Sequence, residues 1–230
     1  MIWRGEPYVT LMASLPAIRF LSEKAPPIGR SRLMERLKDL APDDAELLRR
    51  LLETVSWRFI DPAQEDAAFL DRAEALLADL TRPALAAALS ERLTLRTVVA
   101  ALRRRHAGED APGKGERWGF GPVVARLRAG WALPDFGLGA AHPWIAPARE
   151  TLEAGDAKGL ERLLLEVAWA QQARHAEAHE FDFEAVVFYV LRWSMADRWA
   201  QYDADAARAR FEELLDAALA AAPATMPEAA

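Results

Sequence analysis

Pro42-Asp-Asp-Ala-Glu-Leu-Leu-Arg-Arg-Leu-Leu-Glu-Thr-Val55 is the stretch that decides the fold class. Proline costs nothing at a first helical position, because the N–H it lacks has no intrahelical partner there. Asp43 and Asp44 follow it and set negative charge at the positive end of the helix dipole. Leu47, Leu48, Leu51, Leu52 and Val55 then fall at i, i+1, i+4, i+5 and i+8. That is a stripe of helical period, and it needs a core to cover it. The spacing predicts a helix over 42–55 with one face buried.

The same signals recur on both sides. Asp61 reads as an N-cap, with Pro62 at the first helical position and Gln64 two residues later, a capping-box variant opening a helix to about residue 80. A longer helix starts near Pro83 and ends before Gly108. Arg103, Arg104 and Arg105 in its last turns complement the carbonyl end of the dipole. Residues 107–122 hold five Gly and two Pro, the clearest break in the chain, and residues 133–143 form a second irregular stretch. Helices are then expected over about 143–154, 157–180 and 183–202, with Asp156 and Asp182 as N-caps, and a last one over 205–221. The only strand candidate, residues 8–15, has too few β-branched residues to hold as a strand. The expected fold is all-α: a single compact multi-helix domain over 1–221, divisible into two or more lobes with a break around 107–122. A flexible tail is expected over 222–230.

Composition bounds the function classes. The 230 residues are 52% hydrophobic and 28% charged, which excludes wholesale disorder. There is no Cys, so disulfides, thiolate metal sites and Cys nucleophiles are excluded. Net charge is −6, distributed as +1 over residues 1–115 and −7 over residues 116–230. A freestanding nucleic-acid binder carries a basic stripe and a high pI, and this balance points away from one. The longest uncharged run, residues 136–148, has 13 residues against the roughly 20 a membrane span needs. Arg4 and Glu6 precede the first apolar stretch and no cleavage site follows it, so a cytoplasmic location is expected.

Four features carry potential chemistry. Gly108-Glu-Asp-Ala-Pro-Gly113-Lys114 matches the opening of a phosphate-binding loop, but Gly115 stands where Ser or Thr would hold magnesium, and a helix rather than a strand precedes it. It reads as a solvated connector. His175 and His179 lie one turn apart on one helix face, the spacing zinc favours, with Glu166, Glu180 and Asp182 within range as oxygen ligands. The His-Glu-x-x-His order is not met, and His175 continues the stripe of Leu160, Leu164, Val167 and Gln171, so a hydrogen-bonded helix terminus is preferred over a metal site. Trp193 and Trp199 each follow an arginine, and they read as packing anchors with Arg on the rings rather than as base-stacking residues. Arg92 to Arg105 holds five arginines and no acid. This window is either a solvated face or a docking surface for an acidic partner, in which Arg103, Arg104 and Arg105 are the contact residues. No nucleophile–base pairing emerges, so no catalytic residue, cofactor or metal is expected.

Four stretches carry a family resemblance: Tyr8-Val-Thr-Leu-Met-Ala-Ser-Leu-Pro16, Leu95-Arg-Thr-Val-Val-Ala-Ala-Leu-Arg-Arg-Arg-His106, Trp131-Ala-Leu-Pro-Asp-Phe-Gly-Leu138 and Phe183-Glu-Ala-Val-Val-Phe-Tyr-Val-Leu-Arg-Trp193. Together they resemble a family of bacterial proteins encoded within V/A-type ATPase operons. More remotely, the second and fourth resemble the central-stalk adaptor of that ATPase, the C/d-type component found in bacteria, archaea and eukaryotes. That resemblance implies a funnel of helical lobes and a non-catalytic, mechanical role in ion transport. It also implies two partners, the rotor ring in the membrane and the foot of the central shaft. The protein would then be peripherally membrane-associated through its complex, with no direct insertion and no nucleic acid. The alternatives are a cytoplasmic helical chaperone or an adaptor for another complex, and a metal-dependent enzyme using His175 and His179.

Overall fold

A computed structural model of the chain describes residues 7–19, 25–55 and 66–201. Every regular element among them is helical. In chain order these are α1 (Val9–Ala13), α2 (Arg30–Arg36), α3 (Pro42–Val55), α4 (Asp66–Asp79), α5 (Pro83–His106), α6 (Val123–Ala129), α7 (Ile145–Glu153), α8 (Ala157–Ala176) and α9 (residues 183–201). A single 3-10 turn, Leu37–Asp39, extends α2. No helix among the described residues is long and apolar enough to cross a membrane.

Among the described residues, the buried side chains form two clusters. The first gathers α1 to α4, the N-terminal half of α5 (Leu85, Leu89, Leu93) and most of α9. The second gathers the C-terminal half of α5 (Leu95, Val98, Val99, Ala101, Leu102), α6, α7, α8 and Met195 of α9. The division falls inside α5, between Leu93 and Leu95. A continuous helix of 24 residues, about 36 Å long, therefore passes through both cores. Apolar side chains all round such a helix are what a doubly covered element requires.

Residues 107–111 and 113–117 are exposed, as the solvated connector read over 108–114 requires, and the chain packs inward from Trp118. Trp118 is buried in the second cluster and Phe120 packs against the first, so the stretch lies across their junction on α5. Thr97, the one buried polar residue among those described, holds it there. Its hydroxyl donates to Leu93 O at 2.9 Å and accepts from the Phe120 N–H at 2.9 Å. Gly119 is required at this contact, since a Cβ there would lie 2.5 Å from the Thr97 methyl.

Several expected elements are present. The helix read over 42–55 spans Pro42–Val55, α5 ends at His106, and Asp156 caps α8 by accepting from the Gly159 N–H. Asp182 likewise accepts from the Ala185 N–H at 2.9 Å. The strand candidate is instead part of α1, with Tyr8 buried just before it. The cap at Asp61, the helix over 205–221 and the tail over 222–230 lie outside the described residues.

Candidate functional site

The basic window on α5 is largely turned to internal use. The Arg96 guanidinium lies 3.7 Å from the centroid of the Phe69 ring. Arg104 pairs with Glu109 at 2.8 Å and with Glu116 at 2.9 Å, over the Trp118 ring. Arg105 donates to the carbonyls of Leu133 at 2.6 Å and Pro134 at 2.8 Å, with its guanidinium 4.0 Å from the Phe136 ring centre. Burial lowers its pKa, and the neighbouring Arg149 adds to that. Arg103 alone of the three terminal arginines is exposed. Of the residues read as a docking surface, two fasten the loops after α5 and one points outward.

A second polar cluster sits where α9 begins. The Tyr8 hydroxyl donates to Asp44 Oδ2 at 2.5 Å and accepts from the Ala41 N–H at 3.3 Å. Arg82 reaches the other oxygen of Asp44 at 2.9 Å and Glu184 at 3.0 Å, and it covers the Phe183 ring. Desolvation, then the bond to Asp44, raises the Tyr8 pKa. Four elements, α1, α3, α5 and α9, are joined by this network. Nothing in the local sequence marks it, because its members are spread over more than 170 residues.

His175 and His179 flank Phe188, with ring centres 6.5 and 6.1 Å from it. Each faces a different carboxylate. His179 Nδ1 lies 2.6 Å from Asp182, and His175 Nε2 lies 3.2 Å from Glu91, which also binds Arg174. Among the described residues, His179, Asp182 and Glu184 are the group whose ligand atoms approach one another, to within 4.8 Å. Asp182 also caps α9 and Glu184 holds Arg82, so these groups are committed to protein partners. The donor set fits a capped helix terminus better than a metal centre, and His175 is not part of it.

Of the two tryptophans read as anchors, Trp193 is buried in the first cluster and Trp199 packs half-buried against the second. Trp193 is buried and donates its indole N–H to Ile28 O at 2.7 Å. Arg30 lies over its ring and Arg192 over that of Trp169.

An apolar groove of about 590 Å³ lies elsewhere, between α2, α3 and α9. Leu33, Leu37, Leu48, Leu52, Val190 and Trp193 line it, and the exposed Met34 stands on its edge. Its charged rim is neutralised in pairs, Arg30 with Asp197, Lys38 with Glu35, Arg49 with Glu46 and Glu53, and Arg198 with Glu161. The sequence signal was the width of the α3 stripe: Leu48 and Leu52 line the groove, while Leu48 and Leu51 are both buried in the first core.

The four stretches that carry the resemblance meet in two pairs. The first and fourth touch: the Tyr8 and Phe183 rings lie tilted at 53° with centres 6.4 Å apart, and the Tyr189 hydroxyl donates to Pro16 O at 2.9 Å. The second and third touch through Arg105 on the carbonyls of Leu133 and Pro134. Compared with known proteins, the chain matches no protein-family model, no curated protein and no solved structure.

Proposed function

We propose that this chain is a non-catalytic helical component of a V/A-type rotary ATPase, an adaptor coupling the central shaft to the membrane rotor ring. The observation that carries the proposal is the pairing of the four resembling stretches. One pair lies in each core, so the resemblance falls on the contacts that hold the body together rather than on unrelated surface segments. The shape of the interior suits the role. An adaptor under torque has to pass load between two faces without yielding, and close-packed interiors transmit strain. Here α5 and α9 both run from one core into the other.

The test is affinity capture of the tagged chain from gently solubilised native membranes, read by mass spectrometry. Recovery of the nucleotide-binding head of the ATPase together with the rotor-ring protein is the expected result. Recovery of the chain alone contradicts the proposal. Capture of a redox enzyme carrying a twin-arginine leader would replace it with a chaperone role.

A further inference from the structure

The loop Gly108-Glu-Asp-Ala-Pro-Gly113-Lys114 has the opening of a phosphate-binding loop without its magnesium hydroxyl, and in the fold it holds an anion of the chain's own. The Glu116 N–H donates to Gly113 O at 3.2 Å and closes a tight turn over Lys114 and Gly115, with Gly115 at φ 94°. That turn folds the Glu116 side chain back over the loop. One carboxylate oxygen accepts from the Gly113 N–H at 3.0 Å, and the other accepts from Arg104 at 2.9 Å. Arg104, then the Gly113 N–H, hold the Glu116 carboxyl below its ordinary range, and the charge of Arg128 adds to them.

These donors do not depend on Glu116 for their placement. Arg104 is also paired with Glu109 at 2.8 Å, and the Trp131 indole N–H donates to Glu109 O at 3.2 Å. Arg128 donates to Pro112 O at 2.9 Å and to Gly113 O at 3.0 Å, which fixes the peptide that carries the Gly113 N–H. The loop is therefore exposed and braced at once, and donors already in place bind an anion at low ordering cost. Lys114, at the turn, is exposed and makes no ion pair or hydrogen bond among the described residues. A carboxylate has two oxygens for this set, whereas a phosphate group brings three and a charge of about −1.5 to −2, enough to engage Arg104, the Gly113 N–H and Lys114 together.

We propose that residues 108–116 form a self-occupied oxyanion site, in which Arg104, the Gly113 N–H and Lys114 take a phosphate group when the Glu116 carboxylate leaves, and Glu116 is the tethered competitor that keeps the site closed. The proposal is independent of the ATPase assignment. A tethered group acts at a high effective concentration, so only a ligand with more charge or more acceptors than a carboxylate displaces it. If Glu116 fills the site about nine-tenths of the time, a phosphate group sees only about a tenth of the intrinsic affinity.

The test is calorimetric titration of the full chain with inorganic phosphate at fixed ionic strength. Glu116→Ala is expected to bind phosphate about tenfold more tightly than the wild type, since the competitor is gone. Glu116→Asp keeps the charge but is one methylene short of both donors, so it should also bind more tightly than the wild type. Asp110→Asn removes the same charge from an exposed residue of the same loop that makes no bond to these donors, and should stay within about twofold of the wild type. Adding Arg104→Gln to Glu116→Ala should abolish the gain. No gain in either Glu116 variant, an equal gain in Asp110→Asn, or a gain that survives Arg104→Gln would overturn the proposal. The second of these would show a response to net charge rather than a vacated site.

Discussion

Arg105 shows how a residue that reads as surface charge becomes a structural one. Phe136 adopts φ 56°, a left-handed conformation uncommon for a bulky residue, and its ring is buried beneath the Arg105 guanidinium. The planar fork of Arg reaches two successive carbonyls, which a point charge on a lysine stem does not reproduce. Arg105→Ala is expected to lower stability by about 2 kcal/mol, through lost charged hydrogen bonds and packing. Arg105→Lys should recover only part of this. Arg103→Glu, on an exposed side chain, should stay within about 0.5 kcal/mol of wild type. Urea midpoints for the three variants check the ranking, and equal losses at both positions would contradict it. Only Arg103 can therefore report on docking without also reporting on folding.

Tyr189 makes the corresponding case for pH. Burial pushes its hydroxyl up to about 12, from an ordinary 10.0. The folded chain keeps this proton across a range in which the unfolded chain releases it, so unfolding sheds a proton there. The stabilising contribution is complete below pH 10 and is lost as pH rises toward 12. Urea midpoints followed over that range should fall less steeply in Tyr189→Phe than in the wild type. Identical slopes would remove Tyr189 as a contributor.

At the scale of elements, caps and close approaches give separable predictions. Asp156→Ala removes the acceptor for the Gly159 N–H and should cost about 1 kcal/mol, the usual value of an N-cap. Gly130, which ends α6, is more demanding, because a Cβ there would collide with the Phe136 carbonyl. Backbone cannot swing aside as a side chain does, so Gly130→Ala should cost more than Asp156→Ala in thermal or urea unfolding. The reverse order would contradict the packing described. These elements also show what the sequence made legible. Long helices with strong local signals, α3, α5 and the caps of α8 and α9, were readable because period, proline and acidic caps agree. α1, α2 and α6 were not, because a helix of five to seven residues is too short to display a period and owes its existence to the surface it packs on. The Tyr8, Asp44, Arg82 and Glu184 network was invisible for a related reason, since each member is ordinary in its own neighbourhood and only the fold brings them together.

At the scale of the molecule, the decisive feature is that α5 and α9 belong to both cores. Two clusters linked by a flexible segment would unfold separately; two threaded by the same helices are expected to unfold together. Leu33→Ala in the first core and Leu127→Ala in the second are each buried deletions, expected to cost about 2–5 kcal/mol. Each should shift one common transition when unfolding is followed by far-ultraviolet circular dichroism and by tryptophan fluorescence. Two transitions, with each variant moving only one, would contradict a single mechanical body.

That body is what the proposed role requires, because an adaptor that yields internally cannot carry torque. The most direct test is the coupling ratio of the ATPase in membranes depleted of this chain and then given it back. ATP hydrolysis is expected to persist without the chain while the ion gradient it drives is lost, and the purified protein is expected to restore the gradient. A gradient of undiminished size in the depleted membranes would contradict the account.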